Sequence, residues 1–210
     1  MDSPRSPRRP ALLGPAALAT FAGGNDPAHL AEVAHATAVA VVTAGRSADD
    51  PAATDRLVRL MDEVGIDTVA ELWADRPARS LPGALWRLYA LREWVRVDAV
   101  EASCDYEAGQ HLAQVARVVA GAGEPSTPQA LRELLDAILG GVFRGDLAVA
   151  LERAGAFARV VATGRARRAD ELEAADSAAA AGLTLRAAAM QRTAEDLDAA
   201  AALWRTADLV

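Results

Sequence analysis

Five side chains of the kinds that bind metal ions lie at helical spacing in two separate stretches of the chain. Glu32 and His35 form an E-x-x-H pair, the spacing with which carboxylate-bridged di-metal proteins place two ligands on one helix face. Glu101, Asp105 and His111 follow in a second helical stretch. If the two helices pack together, these residues predict a di-iron or manganese site and an oxidase-like metalloprotein.

A second interpretation uses the same residues without a metal. A di-metal carboxylate site needs two E-x-x-H pairs and two further glutamates, and this chain contains one such pair. Glu32 also lies opposite the most apolar face of its helix, which favours contact with solvent. We therefore predict no cofactor and solvated or salt-bridged side chains at these positions, and we keep the di-iron or manganese site as the alternative.

Arginine supplies all 22 basic side chains of the protein, because no lysine occurs. The absence of lysine excludes a P-loop lysine and a Schiff-base lysine. Arg92 and Arg96 stand one helical turn apart, so their guanidinium groups could form a fork for a small anionic ligand. The competing interpretation is an ordinary charged face in which these arginines pair with neighbours such as Glu93.

A second group of arginines, Arg165, Arg167 and Arg168, could contact nucleic acid. Asp170 and Glu171 follow at once, which favours ion pairs within the segment instead. The net charge of −7 also argues against a basic surface for nucleic acid. We therefore predict no nucleic-acid partner.

The chain contains no complete set of residues for nucleophilic catalysis. Its one cysteine, Cys104, lies two helical turns from His111, which is too far for a catalytic pair on one helix. The nucleophile-elbow, dinucleotide-binding and zinc-protease motifs do not occur in the sequence. These observations favour a protein that is not an enzyme, but they do not decide whether it is one.

Capping residues mark the ends of the predicted helices. Asp26, Asp50 and Thr127 each precede a proline that would take the first helical position, and glycines such as Gly141 and Gly164 stand where helices should end. The predicted helices span residues 27–44, 51–64, 68–75, 82–120, 128–139 and 146–163. No stretch alternates polar and apolar residues with a period of two. We therefore predict an all-α fold, a compact bundle of about six helices with a helical C-terminal extension.

Composition divides the 210 residues into three predicted parts, a flexible arm (1–24), a helical bundle domain (25–163) and an alanine-rich helical extension (164–210). In the extension, large residues recur every seven positions with an alanine four positions after each, a pattern through which two helices pack closely. This seam consists of Leu183, Ala187, Met190, Ala194, Leu197, Ala201 and Trp204. Either a second copy of the chain or a partner protein packs on this seam, or the seam packs onto the protein's own core.

Two stretches resemble a group of uncharacterised actinobacterial all-helical proteins. They are residues 81–94, with the sequence LPGALWRLYALREW, and residues 145–154, with the sequence GDLAVALERA. The resemblance extends from about residue 10 to residue 168. It implies an intracellular bacterial protein and brings no activity, cofactor or site residue with it.

No apolar run reaches the roughly 20 residues that a membrane span requires, so we predict no membrane span and a cytoplasmic location. The seam and the incomplete catalytic sets together predict a non-enzymatic interaction or regulatory protein. It would self-associate, or bind a protein partner, through its C-terminal helix. The alternatives are the helical metalloprotein and, third, a sensor of a small anionic ligand.

Overall fold

The computed structural model describes residues 26–46, 72–120 and 127–210, and every regular element within these ranges is a helix. The predicted all-α bundle is therefore confirmed. The predicted arm 1–24, the predicted helix 51–64 and the first part of the predicted helix 68–75 lie outside the described residues. Within the rest of that last helix, Leu72 and Trp73 are helical and a turn follows them.

Seven helices follow one another along the described ranges. They are α1 (Pro27–Arg46), α2 (Leu81–Val97), α3 (Ala99–Gln110), α4 (Gln114–Ala120), α5 (Pro128–Arg144), α6 (Leu147–Leu172) and α7 (Ser177–Arg205). Asp26 accepts a hydrogen bond from the N–H of Ala28 at 3.0 Å, and Thr127 accepts one from the N–H of Ala130 at 3.2 Å. Both N-caps lie where the sequence predicts them. Ser80, Asp146 and Asp176 cap α2, α6 and α7 in the same way.

The single helix predicted at 82–120 is wrong, because this stretch forms three helices. Asp98 ends α2: its N–H bonds to the carbonyl of Trp94, and its backbone dihedrals of −111° and 44° leave the helical region. The second break follows Gly109, whose carbonyl oxygen accepts the N–H groups of both Leu112 and Ala113. This tightened last turn ends α3 and redirects the chain into α4.

Two predicted helix ends are also wrong, because the helices continue through the glycines. α5 extends past Gly141 to Arg144, and α6 extends past Gly164 to Leu172. At Gly164 the missing side chain admits a neighbouring helix instead of ending its own. The predicted boundary between residues 163 and 164 therefore lies inside α6, while the division of the chain into domains stays a prediction.

α6 is the helix on which most of the bundle packs. α7 returns along it after the turn at residues 173–176, and α3, α4 and α5 also pack against it. The ring of Phe157 on α6 stacks on the ring of Tyr106 on α3, with centroids 5.5 Å apart, and both side chains are fully buried. Such aromatic pairs contribute large buried areas, so this contact anchors α3 to α6.

The C-terminal segment closes onto the beginning of α2. The N–H of Leu81 donates to the carbonyl oxygen of Val210 at 3.1 Å, and Leu209 is buried. Leu197 on α7 belongs to the same hydrophobic cluster as Leu85 on α2. The predicted extension therefore shares the hydrophobic core of the preceding helices.

α1 packs against α2 and α5. Its buried contacts come from Ala34, Ala38 and Val42, which follow one another at intervals of four along one face. Among the described helices, none combines the length and the apolar character that a bilayer span requires.

Candidate functional site

The structure does not bring the five predicted metal ligands together. Glu32 is exposed and His35 half-buried on α1, which packs against α2 and α5. Glu101 and Asp105 lie on α3, and the exposed His111 follows that helix. Within the described ranges, no three His, Cys, Asp or Glu side chains lie close enough together to hold one ion.

Asp105 is fully buried and bonds to two arginines of α6. Arg165 donates from Nε to Oδ2 of Asp105 at 2.7 Å, and its Nη2 atom also lies 2.7 Å from that oxygen. Arg168 donates from Nη1 to Oδ1. Two guanidinium groups therefore supply the positive charge at this carboxylate, so Asp105 is a salt-bridge residue rather than a ligand of the alternative metal site.

The indole ring of Trp94 on α2 contacts the same ion pair. The guanidinium carbon of Arg165 lies 5.0 Å from the ring centroid, within the range of a cation–π interaction. The sequence favours pairing of these arginines within their own segment, and Arg167 does pair with Glu171 at 2.9 Å. Arg165 and its neighbour Arg168 instead pair across the bundle, because α6 continues through this segment.

Two glycines allow α3 and α6 to approach so closely. A Cβ atom at Gly164 would lie 1.7 Å from the carbonyl oxygen of Asp105, and one at Gly109 would lie 2.0 Å from the carbonyl oxygen of Val160. Both distances are far below van der Waals contact, so this crossing requires glycine at both positions. The crossing places the carboxylate of Asp105 against Arg165, the residue that follows Gly164.

The predicted seam of α7 is buried within a single chain. Its members Leu183, Ala187, Ala194, Leu197 and Ala201 are buried, and Met190 and Trp204 are half-buried, where α7 packs along α6. A Cβ atom at Gly155 of α6 would lie 3.1 Å from the carbonyl oxygen of Ala194, which shows how close the two helices are. Of the two uses that the sequence leaves open, the structure shows packing onto the protein's own core.

An ion pair near the end of α7 strengthens the same contact. Arg205 donates to both carboxylate oxygens of Glu152 on α6, at 2.5 and 2.7 Å. The hydrogen bonds from Arg205 lower the pKa of Glu152, and the bonds to Glu152 raise the pKa of Arg205. This pair joins two helices and lies apart from the arginines of α2.

A cavity of about 220 Å³ lies between α2 and α5. It is lined by Arg92 and Arg96 from α2 and by Gln129, Arg132 and Asp136 from α5, and we call it the arginine cavity. The structure therefore adds a third arginine, an amide and a carboxylate to the predicted pair. Arg132 and Asp136 stand at i and i+4 on one helix, but nothing in the sequence shows that this helix faces α2.

Hydrogen bonds hold the guanidinium groups around the arginine cavity. Arg92 donates from Nε to Oδ1 of Asp136 at 2.6 Å, which joins α2 to α5. Arg96 donates from Nε and Nη2 to the two carboxylate oxygens of Glu93, at 2.8 and 2.6 Å. Arg132 donates from Nη2 to the backbone carbonyl of Arg96 at 3.2 Å. The three arginines thus lie around one space, each with at least one hydrogen-bond acceptor in the protein.

Arg132, which lines the arginine cavity, has one donor for which the described residues provide no acceptor. The Nε atom of Arg132 is buried and has no hydrogen-bond partner among the described residues. A buried donor without an acceptor costs about 1–3 kcal/mol, and more on a charged group. An oxyanion in the cavity would supply negative charge to its three guanidinium groups, so anion binding is the chemistry that this arrangement supports.

A second cavity, of about 290 Å³, lies between α2 and α7 and is lined in part by Trp86, Arg87 and Thr193. Here Arg87 donates from Nη1 to the carbonyl of Gly83 at 3.0 Å, and its Nη2 atom lies 3.4 Å from Asp196. The cation of this cavity is thus held by an acid and a carbonyl of the protein itself. The arginine cavity is the stronger candidate site because three arginines line it, against one in this second cavity.

No family model, curated protein or solved structure matches the chain. A role for the arginine cavity therefore depends on its own geometry. That geometry consists of three guanidinium groups, one carboxylate and one amide gathered between two helices.

Proposed function

We propose that the protein binds a small oxyanion in the arginine cavity. The observation that carries this proposal is that the side chains of Arg92, Arg96 and Arg132 line one cavity. The Nε–H of Arg132 is also buried without an acceptor among the described residues, which is rare in proteins. A bound anion would supply negative charge to the three guanidinium groups.

The charge and size of the cavity define the class of ligand. Its lining carries three positive charges and one negative charge, although the whole chain has a net charge of −7. The planar guanidinium group matches carboxylate and phosphate oxygens in pairs. At about 220 Å³ the cavity is smaller than the roughly 300–1,000 Å³ of pockets for drug-sized molecules. These properties favour a small carboxylate or phosphate compound.

The proposal concerns binding and assigns no catalytic residue. The groups that line the arginine cavity donate hydrogen bonds and positive charge, and the carboxylate of Asp136 accepts from Arg92. A site of this composition retains an anion without providing a nucleophile for it. A non-enzymatic sensor or regulatory protein is the role that these groups support.

Isothermal titration of the full chain with inorganic phosphate, sulfate and acetate tests the proposal. We expect the wild type to bind at least one of these anions and Arg132→Gln to lose most of the affinity, because the substitution removes one of the three positive charges that line the cavity. The matched control is Arg167→Gln, which removes an arginine paired with Glu171 on the exposed side of α6. Absence of binding to the wild type, or equal loss in both variants, would refute the site.

A second candidate function is binding of a protein partner, which includes a second copy of the chain. The seam of α7 is buried, so a partner would need another surface. Val115 and Val118 of α4 are 81% and 69% exposed, and Leu112 just before that helix is exposed as well. Neighbouring exposed apolar residues of this kind mark interaction surfaces.

Light scattering after size-exclusion chromatography tests this second function. We propose that the wild type forms an oligomer and that the double variant Val115→Glu, Val118→Glu has the mass of a monomer, because charge opposes burial of this surface. Leu185→Glu, at an exposed position of α7, is the control and should keep the wild-type mass. A monomeric wild type would refute self-association through α4.

A further inference from the structure

We infer that Asp136 acts as an internal competitor in the arginine cavity, and that the ligand it competes with is a doubly charged oxyanion such as a phosphate group. The inference rests on the proposed function. Asp136 accepts the Nε–H of Arg92 through Oδ1 at 2.6 Å, which is the contact that a ligand oxygen would make with this arginine. The protein therefore holds a carboxylate of its own at the place of the ligand.

The two partners of this ion pair differ in their access to water. The side chain of Arg92 is 13% exposed, whereas that of Asp136 is 51% exposed. A half-exposed carboxylate regains water when it turns away, so its release costs little. The enclosed guanidinium group stays in place. A ligand can therefore displace Asp136 from Arg92 without disturbing the wall of the cavity.

The charge of the lining indicates a doubly charged ligand. Arg92, Arg96 and Arg132 contribute three positive charges, and Glu93, which pairs with Arg96, contributes one negative charge. Once Asp136 has turned away, the groups around the cavity therefore have a net charge of +2. A dianion neutralises this charge, whereas a carboxylate with one charge does not. The arginines also come from two helices, and the tetrahedral oxygens of phosphate can reach donors in different planes, which the two coplanar oxygens of a carboxylate cannot.

Titration of the full chain with inorganic phosphate, in the wild type and in Asp136→Asn, tests the inference. The amide keeps the shape of the side chain and removes its charge, so phosphate should bind about two- to fivefold more tightly, the gain expected when one half-exposed ion pair no longer competes. Asp136→Ala should show the same gain, because it removes the amide oxygen as well. The control is Asp170→Asn, the same chemical change at an exposed position of α6, which should leave the affinity unchanged.

The results distinguish the competition by Asp136 from the existence of the anion site. If Arg132→Gln abolishes phosphate binding but neither Asp136 variant tightens it, the site stands and the competition by Asp136 is refuted. An equal gain in Asp170→Asn would show a general effect of net charge and would also refute the competition. Acetate that binds as tightly as phosphate would refute the doubly charged ligand. If the wild type binds none of phosphate, sulfate and acetate, the proposed function itself fails.

Discussion

Gly109 of α3 and Gly164 of α6 face each other in backbone contact, so that a Cβ atom at Gly164 would lie 2.6 Å from the backbone nitrogen of Gly109. Asp105 lies one turn before Gly109, and Arg165 directly follows Gly164. The glycine crossing and the buried ion pair of Asp105 with Arg165 are therefore one structural unit. Close approach of the two backbones excludes water from the pair, and the pair satisfies the charges that this approach buries.

Alanine at Gly164 should disrupt this unit. Gly164→Ala should lower the free energy of unfolding by about 3 kcal/mol or more, because overpacking typically costs 1–3 kcal/mol even where side chains can move aside. Here the added methyl group would meet the backbone of α3. Urea denaturation followed by circular dichroism measures the change.

Gly182 provides the matched control, since it also lies inside a long helix. A Cβ atom there would meet nothing within 4 Å. Gly182→Ala should therefore raise the free energy of unfolding by up to about 1 kcal/mol, the difference in helix propensity between the two residues. If both glycines responded alike, close approach would not be the reason for the glycine at position 164.

The buried carboxylate of Asp105 should be among the most sensitive polar positions of the fold. Asp105→Asn leaves two guanidinium groups without their counter-charge, and we expect a loss of about 3–5 kcal/mol in the free energy of unfolding. Arg168→Gln should cost less, because that side chain is 30% exposed and its replacement leaves the contact with Arg165 intact. A double-mutant cycle between Asp105→Asn and Arg165→Gln measures the coupling, and additive effects would contradict a direct pair.

Acid should weaken the contact between α6 and α7 at Glu152. Hydrogen bonds from Arg205 lower the pKa of Glu152 below its ordinary value of 4.5 in the folded protein. The folded state therefore favours the ionised carboxylate, so the pair stabilises the fold above the ordinary pKa, and this contribution is lost as pH falls through the lowered pKa. Melting temperatures of the wild type and Glu152→Gln should differ at neutral pH and converge in acid. Arg205→Gln should converge with the wild type over the same range, and a difference that persisted in acid would show that packing, not charge, is involved.

Local sequence signals predict the helices but not how they cross. The caps at Asp26 and Thr127 act within their own first turns, so the sequence alone identifies them. A glycine that ends a helix and a glycine that admits a neighbour look the same in a sequence. The sequence therefore predicts a helix end at Gly164, which is wrong. The role of this glycine depends on Gly109, which lies 55 residues earlier in the chain on another helix.

Part of the candidate site likewise follows from local spacing in the sequence, and the rest follows from how the helices pack. The spacing of Arg92 and Arg96 on one helix is compatible with an anion fork and with an ordinary charged face, and the Arg96–Glu93 pair of the second interpretation is present. Arg132 and Asp136 become part of that site when α5 packs against α2, a contact made by residues far apart in the chain. Asp105 is salt-bridged, which is one of the outcomes that the sequence leaves open, but its partners are two arginines of α6 that the sequence pairs within their own segment.

Replacement of Arg132 should abolish phosphate binding and leave the free energy of unfolding nearly unchanged. Arg132→Met keeps much of the aliphatic length and removes a buried Nε–H that has no acceptor among the described residues, together with one hydrogen bond of 3.2 Å to the carbonyl of Arg96. These effects oppose each other, so the free energy of unfolding should stay within about 1 kcal/mol of the wild-type value while phosphate binding is lost. Arg165→Met, at an arginine with a buried acceptor, should cost about 3–5 kcal/mol in the same urea titration. If Arg132→Met destabilised the protein as strongly as Arg165→Met, the fold itself would need the guanidinium group of Arg132, and its position at the cavity would no longer indicate a ligand.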